Sequence, residues 1–163
     1  MSIKKISVLL VLTVFVMCFI FYNSFQNSEE SNEASEVIEE IVEPIVEEIV
    51  GEDVVDVTYL VRKGAHITEF FVLGVLVCNV LNEISKKRKN FKYILGYGLF
   101  YVLAVAVTDE YIQSFSDRTS SVIDVLIDFS GASSGFAATV LWGLLSEKSK
   151  IKSKEGNNNG DQN

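Results

Sequence analysis

Four long runs of apolar residues constrain this chain more than any other feature of its sequence. They extend over Ile6 to Phe25, Gly64 to Leu81, Phe91 to Val107 and Val122 to Leu145. Each run approaches the ~20 residues that an α-helix needs to cross a bilayer. Because backbone groups find no water partners in lipid, a spanning segment must be helical. The sequence therefore predicts an all-α fold, an integral membrane bundle of four transmembrane helices.

The first run follows the basic start MSIKK, which is also typical of a cleaved signal peptide. The residues that come next, FYNSFQNSEE, are bulky where a cleavage site needs small side chains. We therefore interpret residues 1–25 as a retained first transmembrane helix.

Basic residues indicate the orientation of the bundle. They gather at Lys4 and Lys5, in the loop from Lys86 to Lys92, and in the tail from Lys148 to Lys154. Loops rich in lysine and arginine stay on the cytoplasmic side of a membrane. We expect a multi-pass protein of the cell membrane with both termini in the cytoplasm.

An acidic segment follows the first span. No basic residue occurs between Glu29 and Asp56, although the chain as a whole carries a net charge of −8. Apolar pairs recur every four residues in EVIEEIVEPIVEEIV, which predicts an amphipathic helix kinked at Pro44. The charge density also fits a solvated, partly disordered spacer. We expect residues 26–60 to be extracytoplasmic, 61–146 to form a three-helix core and 147–163 to be a disordered tail.

Ionisable residues lie at the predicted outer ends of the last three spans. Since the second and fourth spans begin outside and the third ends there, these residues should share one plane. We name them the polar cluster: Arg62, Lys63, His66, Glu69, Asp109, Glu110, Gln113, Arg118, Asp124 and Asp128.

Helical spacing places several members of the polar cluster on common faces. Arg62, His66 and Glu69 are spaced i, i+4 and i+7 along the second span. A charge within a span costs ~2.5–3.5 kcal/mol unless it is paired or faces a wet cavity, so we expect the cluster to face the bundle interior. Its acidic surplus favours a cationic ligand, a metal, bound protons or carboxyl groups exposed to water.

Small residues in the fourth span indicate where helices pack closely. Gly131 and Gly135 form a GxxxG pair in SGASSGF, a spacing that lets two helix backbones approach each other. Gly74, Gly96 and Gly98 are further candidates for close packing.

Two motifs resemble the VanZ-like family. The stretch RKGAHITEFFVLG is similar to its first signature, and TDEYIQSFSDRTSSVIDVLIDFSGASSGF is similar to the second. The similarity extends over about Phe21 to Leu145, with the acidic segment as an insert. The resemblance implies a small integral membrane protein of the bacterial cell envelope, of the kind associated with resistance to glycopeptide antibiotics, notably teicoplanin.

Three functional hypotheses follow. In the first, the polar cluster binds or shields a lipid-linked head group or a glycopeptide, since guanidinium groups suit phosphates and carboxylates suit ammonium groups. In the second, the protein is a membrane enzyme that could use a metal ion. The candidate metal ligands are His66 and Glu69, with Asp109, Glu110 and Asp128 nearby. In the third, the cluster only joins the helices. The first is favoured, with membrane lipids as partners, no cofactor, no metal and no nucleic acid.

Overall fold

The computed structural model describes residues 3–25, 57–85, 91–115 and 121–160, together with the single positions 40 and 44. Four helices are present in these ranges: α1 (Ile3–Phe25), α2 (Val57–Ser85), α3 (Phe91–Gln113) and α4 (Val122–Gly160). All four are long and apolar enough to cross a membrane. The prediction of an all-helical, four-span membrane bundle is confirmed. The acidic segment and the predicted kink at Pro44 lie outside the described residues, apart from the two single positions.

The helix ends differ from the predicted spans in two places. Helix α3 continues to Gln113, so the acidic residues after Val107 belong to the helix itself. The last helix continues to Gly160, whereas the sequence predicts a disordered tail from residue 147. No proline interrupts this stretch, and its lysines and glutamates are good helix formers.

Hydrogen bonds define the end of α3 and the start of α4. Ser114 N–H donates to the carbonyl of Glu110, and Phe115 N–H donates to that of Ile112, which closes α3. Ser121 then caps α4, because its hydroxyl oxygen accepts the N–H of Ile123 at 3.1 Å. The cap fixes where α4 begins and therefore the height of the residues in its first turns.

Helix α2 is central to the bundle. It contacts each of the other three helices, and its contact with α4 is the most extensive in the described structure. The core between the helices is apolar and contains residues from all four. These residues are Ile20, Phe70, Leu73, Val77, Cys78, Val102, Val105, Ala106, Ala132 and Phe136.

Glycines set the spacing of α2 and α4. A Cβ atom on Gly131 would lie 2.7 Å from the carbonyl oxygen of Ile67, and one on Gly135 would overlap the carbonyl of Phe71. From the other side, a Cβ on Gly74 would overlap the carbonyl of Ala132. The two backbones are therefore in direct contact, as small residues allow in membrane helices.

The other two candidate glycines differ from each other. A Cβ on Gly98 would meet the ring of Phe136 at 2.5 Å, whereas one on Gly96 would meet nothing within 4 Å. Only Gly98 therefore lies at a close approach between helices.

Large apolar side chains cover the outside of the bundle. Val11, Phe15 and Tyr22 of α1 are each at least 65% exposed, as are Phe100 of α3 and Trp142 of α4. In water such a surface would be unfavourable, but in a bilayer it contacts lipid tails. Exposed hydroxyl groups on these helices, such as those of Thr68 and Thr108, donate to carbonyls of their own helix. The surface therefore suits a hydrocarbon environment.

Candidate functional site

Polar side chains gather at one end of the bundle, which we call the polar end. It is formed where α1 and α3 end and where α2 and α4 begin. Because neighbouring helices run in opposite directions, residues far apart in sequence reach the same height. The buried polar residues at this end are Ser24, His66, Asp109, Glu110, Gln113, Asp124 and Asp128.

The structure describes nine of the ten residues of the polar cluster. Six of them are buried: His66, Asp109, Glu110, Gln113, Asp124 and Asp128. Three are partly exposed: Arg62, Lys63 and Glu69. Arg118 lies outside the described residues.

Three buried side chains lie at the centre of the polar cluster. His66 Nδ1 is 3.8 Å from Asp109 Oδ2 and 3.8 Å from Asp128 Oδ1. One ligand atom from each of the three residues lies within 4.8 Å of the other two. At 3.8 Å, neither of these two pairs of atoms is close enough for a hydrogen bond. We call His66, Asp109 and Asp128 the central triad.

Hydrogen bonds hold Asp109 in place. Ser24 Oγ of α1 donates to Asp109 Oδ1 at 2.5 Å, and Gln113 Nε2 donates to Asp109 Oδ2 at 3.0 Å. Gln113 is one helical turn after Asp109, so the i, i+4 spacing seen in the sequence becomes a real contact. Asp109 is completely buried and has a fixed orientation.

An ion pair lies beside the central triad, towards the surface. Lys63 Nζ is 2.5 Å from Asp124 Oδ2, and both side chains keep some exposure. Asp124 is in the first turn of α4, where the helix dipole also favours a negative charge. This pair joins the start of α2 to the start of α4.

Two glutamates are held by neighbouring polar groups. Asn23 Nδ2 donates to Glu69 Oε1 at 2.8 Å, and the backbone N–H of Ser121 donates to Glu110 Oε2 at 2.9 Å. The second bond links the end of α3 to the N-cap of α4. Both carboxylates thus accept hydrogen bonds from residues at the ends of neighbouring helices.

Negative charge exceeds positive charge at the described part of the site. Arg62 and Lys63 face five carboxylates: Glu69, Asp109, Glu110, Asp124 and Asp128. Two buried carboxylate oxygens, Glu110 Oε1 and Asp128 Oδ2, receive no hydrogen bond from any described residue. Such atoms are costly in a low-dielectric interior, so the arrangement is suited to holding a proton or a cation.

Sequence reasoning missed Asn23 and Ser24. Both lie in the stretch FYNSFQNSEE, whose bulky residues, and not these two polar ones, support the prediction of a retained first helix. Two adjacent polar residues at the end of an otherwise apolar run were the available signal. They bring α1 into a site that the sequence assigned to three helices.

A second polar region, at the opposite end of the bundle, was also missed. Lys5 Nζ is 2.6 Å from the buried Glu83 Oε1. Asn79, Asn82 and Glu147 line the same cavity of about 530 Å³. Glu83 lies at the end of α2, three residues before the basic run that begins at Lys86, so its sequence context did not indicate that it is buried.

By fold and site, the chain is a multi-pass helical membrane protein with buried ionisable residues at one end of its bundle. It belongs to the VanZ/LLP1 family, whose model matches residues 9–143. Both motifs that carry the resemblance fall within the matched region. No curated protein and no solved structure gives a match to the chain.

Proposed function

We propose that the polar end binds the charged head group of an amphiphile in the outer leaflet, either a lipid-linked envelope precursor or a glycopeptide antibiotic. The observation that carries this proposal is the convergence of all four helices on one set of buried ionisable side chains. Such residues are costly within spans and usually mark functional sites. In this role the protein would contribute to glycopeptide resistance.

The chemistry of the site suits a head group that carries both charges. Arg62 and Lys63 are its partly exposed cations and fit a phosphate or carboxylate. The carboxylate surplus below them fits an ammonium group. A lipid-linked diphosphate and a glycopeptide share this mixed polar and apolar character, and the apolar outer surface of the bundle accommodates an acyl chain.

The distribution of lysine supports an outer position for this site. Lys4 and Lys5 lie at the start of α1, and Lys148 and Lys150 lie late in α4, so both pairs are at the end opposite the polar end. By the positive-inside rule the lysine-rich end is cytoplasmic. The polar end then reaches the outer leaflet, where envelope precursors and glycopeptides meet.

Alanine substitutions in the polar cluster test this function. We expect Arg62→Ala, Glu69→Ala and Asp109→Ala each to weaken ligand binding by about tenfold or more, because a hydrogen bond to a charged group contributes ~1.5–3 kcal/mol. Protein in nanodiscs would be titrated separately with teicoplanin and with a polyprenyl diphosphate lipid, to separate the two ligands. Susceptibility to teicoplanin would be measured in bacterial cells at matched protein levels.

Glu83→Gln is the matched control, because it removes a buried carboxylate at the opposite end of the bundle. It should leave binding and susceptibility unchanged. If all three cluster variants retain wild-type binding and susceptibility, the polar cluster only joins the helices and the proposal is wrong.

A further inference from the structure

We propose that the central triad, His66, Asp109 and Asp128, binds one divalent transition-metal ion of the class of Zn²⁺ or Mn²⁺. This metal site goes beyond the head-group proposal, because it is formed by three side chains of the protein and does not depend on which amphiphile is bound. It also differs from the expectation of no metal drawn from the sequence.

The first argument is geometric. The two distances from His66 Nδ1 to the aspartate oxygens are both 3.8 Å. Tetrahedral ligands at ~2.1 Å from a zinc ion lie ~3.4 Å apart. Each aspartate oxygen therefore needs to move only ~0.4 Å closer to His66 Nδ1 to reach the spacing of ligands around one ion. Water or the ligand itself would complete the coordination.

The second argument is the unsatisfied oxygen of Asp128. Asp128 is 2% exposed, and its Oδ2 accepts no hydrogen bond from the described part of the chain. Asp109 and Glu110 lie close enough to repel its charge. A divalent cation would neutralise the two aspartates and supply the missing partner of this carboxylate.

The third argument concerns the groups behind the triad. Metal-binding carboxylates are usually oriented by further hydrogen bonds. Asp109 has two such bonds, from Ser24 on α1 and Gln113 on α3. Ser24 donates to Oδ1 and Gln113 donates to Oδ2, the oxygen that lies nearer His66. A carboxylate oxygen that accepts one hydrogen bond has a second lone pair with which it can coordinate an ion.

The donor set selects the class of ion. One imidazole nitrogen with two carboxylates is unlike the all-oxygen sites of Ca²⁺ and Mg²⁺. Without thiolate ligands it is also a poor site for soft ions such as Cu⁺. Mixed nitrogen and oxygen ligands suit Zn²⁺ and Mn²⁺.

Metal analysis of the full-length protein tests the site. We expect about one zinc or manganese ion per chain after dialysis with either ion, and a rise in the thermal unfolding temperature when Zn²⁺ or Mn²⁺ is added to chelator-treated protein. Ca²⁺ and Mg²⁺ should not reproduce the rise. The thermal measurement requires no variant, so it stays informative even if substitutions impair folding.

Three variants separate ligands from supporting residues. Asp128→Asn keeps the shape of the side chain, and His66→Gln replaces the imidazole by a polar side chain of similar size. Both variants should abolish stoichiometric binding. Ser24→Ala keeps all three ligands and should weaken binding by roughly 10- to 100-fold, as expected for a residue that orients a ligand. Glu83→Gln should bind the ion like the wild type.

Wild-type protein that holds no ion and shows no metal-dependent rise in unfolding temperature would overturn the proposal. So would unchanged metal content in both Asp128→Asn and His66→Gln. Failure of this proposal leaves the head-group proposal standing, because the latter is judged by ligand titration in nanodiscs and antibiotic susceptibility. Conversely, a metal site in a protein that binds neither amphiphile would refute only the head-group proposal.

Discussion

At the scale of single residues, partners determine whether a buried charge is tolerable. Lys63 and Asp124 illustrate this, because their 2.5 Å contact joins two side chains that are 19% and 12% exposed. Lys5 and Glu83 make a contact of almost the same length, but the Lys5 side chain is 62% exposed. The two pairs therefore differ mainly in how much water surrounds the lysine.

We predict that the two ion pairs differ in coupling energy. A double-mutant cycle with Lys63→Met and Asp124→Asn should give a coupling of about 1–3 kcal/mol, since removing one partner leaves a largely buried charge uncompensated. The same cycle with Lys5→Met and Glu83→Gln should give less, because the largely exposed Lys5 keeps most of its hydration in the pair. Unfolding of detergent-solubilised protein measures both cycles. Equal couplings would show that burial of the lysine does not control the energy.

At the scale of helices, the contact between α2 and α4 positions the central triad. Gly131 is less than one turn after Asp128 and contacts the carbonyl of Ile67, the residue that follows His66. The glycine thus lets the two helices that carry His66 and Asp128 approach each other. Close packing and site geometry depend on the same residue.

We predict that Gly131→Leu lowers the stability of the bundle. A side chain at this position must displace the α2 backbone, and overpacking of this kind costs ~1–3 kcal/mol or more. Thermal unfolding in detergent would show the loss.

Gly143→Leu is the control, because a Cβ there meets nothing within 4 Å and the same residue is introduced on the same helix. It should unfold like the wild type. His66→Ala should also remain folded while losing function. Comparable destabilisation by Gly143→Leu would mean that any leucine introduced into α4, and not contact with α2, explains the effect, because leucine itself favours a helix more than glycine does.

At the scale of the whole molecule, the length of α4 indicates that it extends beyond the bilayer. Its 39 residues span ~58 Å, whereas the hydrocarbon core is ~30 Å thick. The part that carries Lys148 and Lys150 therefore projects into water at the lysine-rich end. The side of the membrane on which the lysine-rich end lies determines which leaflet the polar end reaches.

We predict that the polar end is extracytoplasmic. In a background of Cys18→Ala and Cys78→Ala, Ser114→Cys at the polar end should react with a membrane-impermeant maleimide in intact cells. Ser149→Cys near the other end should react only after permeabilisation. Both positions are exposed, so accessibility to the reagent depends on the side of the membrane. The reverse labelling pattern would contradict the proposed envelope ligand.

The sequence by itself determined the helices, their number and the common height of the ionisable residues. In a bilayer, apolar runs of membrane-spanning length can form only helices. Because successive helices cross the membrane in opposite directions, Arg62, Asp109 and Asp124 lie at the same end of the bundle however the helices pack. Contacts between residues one turn apart in the same helix could also be predicted from the sequence, as the hydrogen bond between Asp109 and Gln113 shows.

Only the tertiary structure decided which residue meets which. The rotation and axial offset of each helix place Lys63 against Asp124, bring Ser24 to Asp109, and direct Gly98 but not Gly96 towards a neighbouring helix. These quantities arise from contacts between residues distant in sequence, such as Gly135 against Phe71. A periodic pattern defines the polar face of a helix, but the closest partner of each side chain depends on how the helices pack.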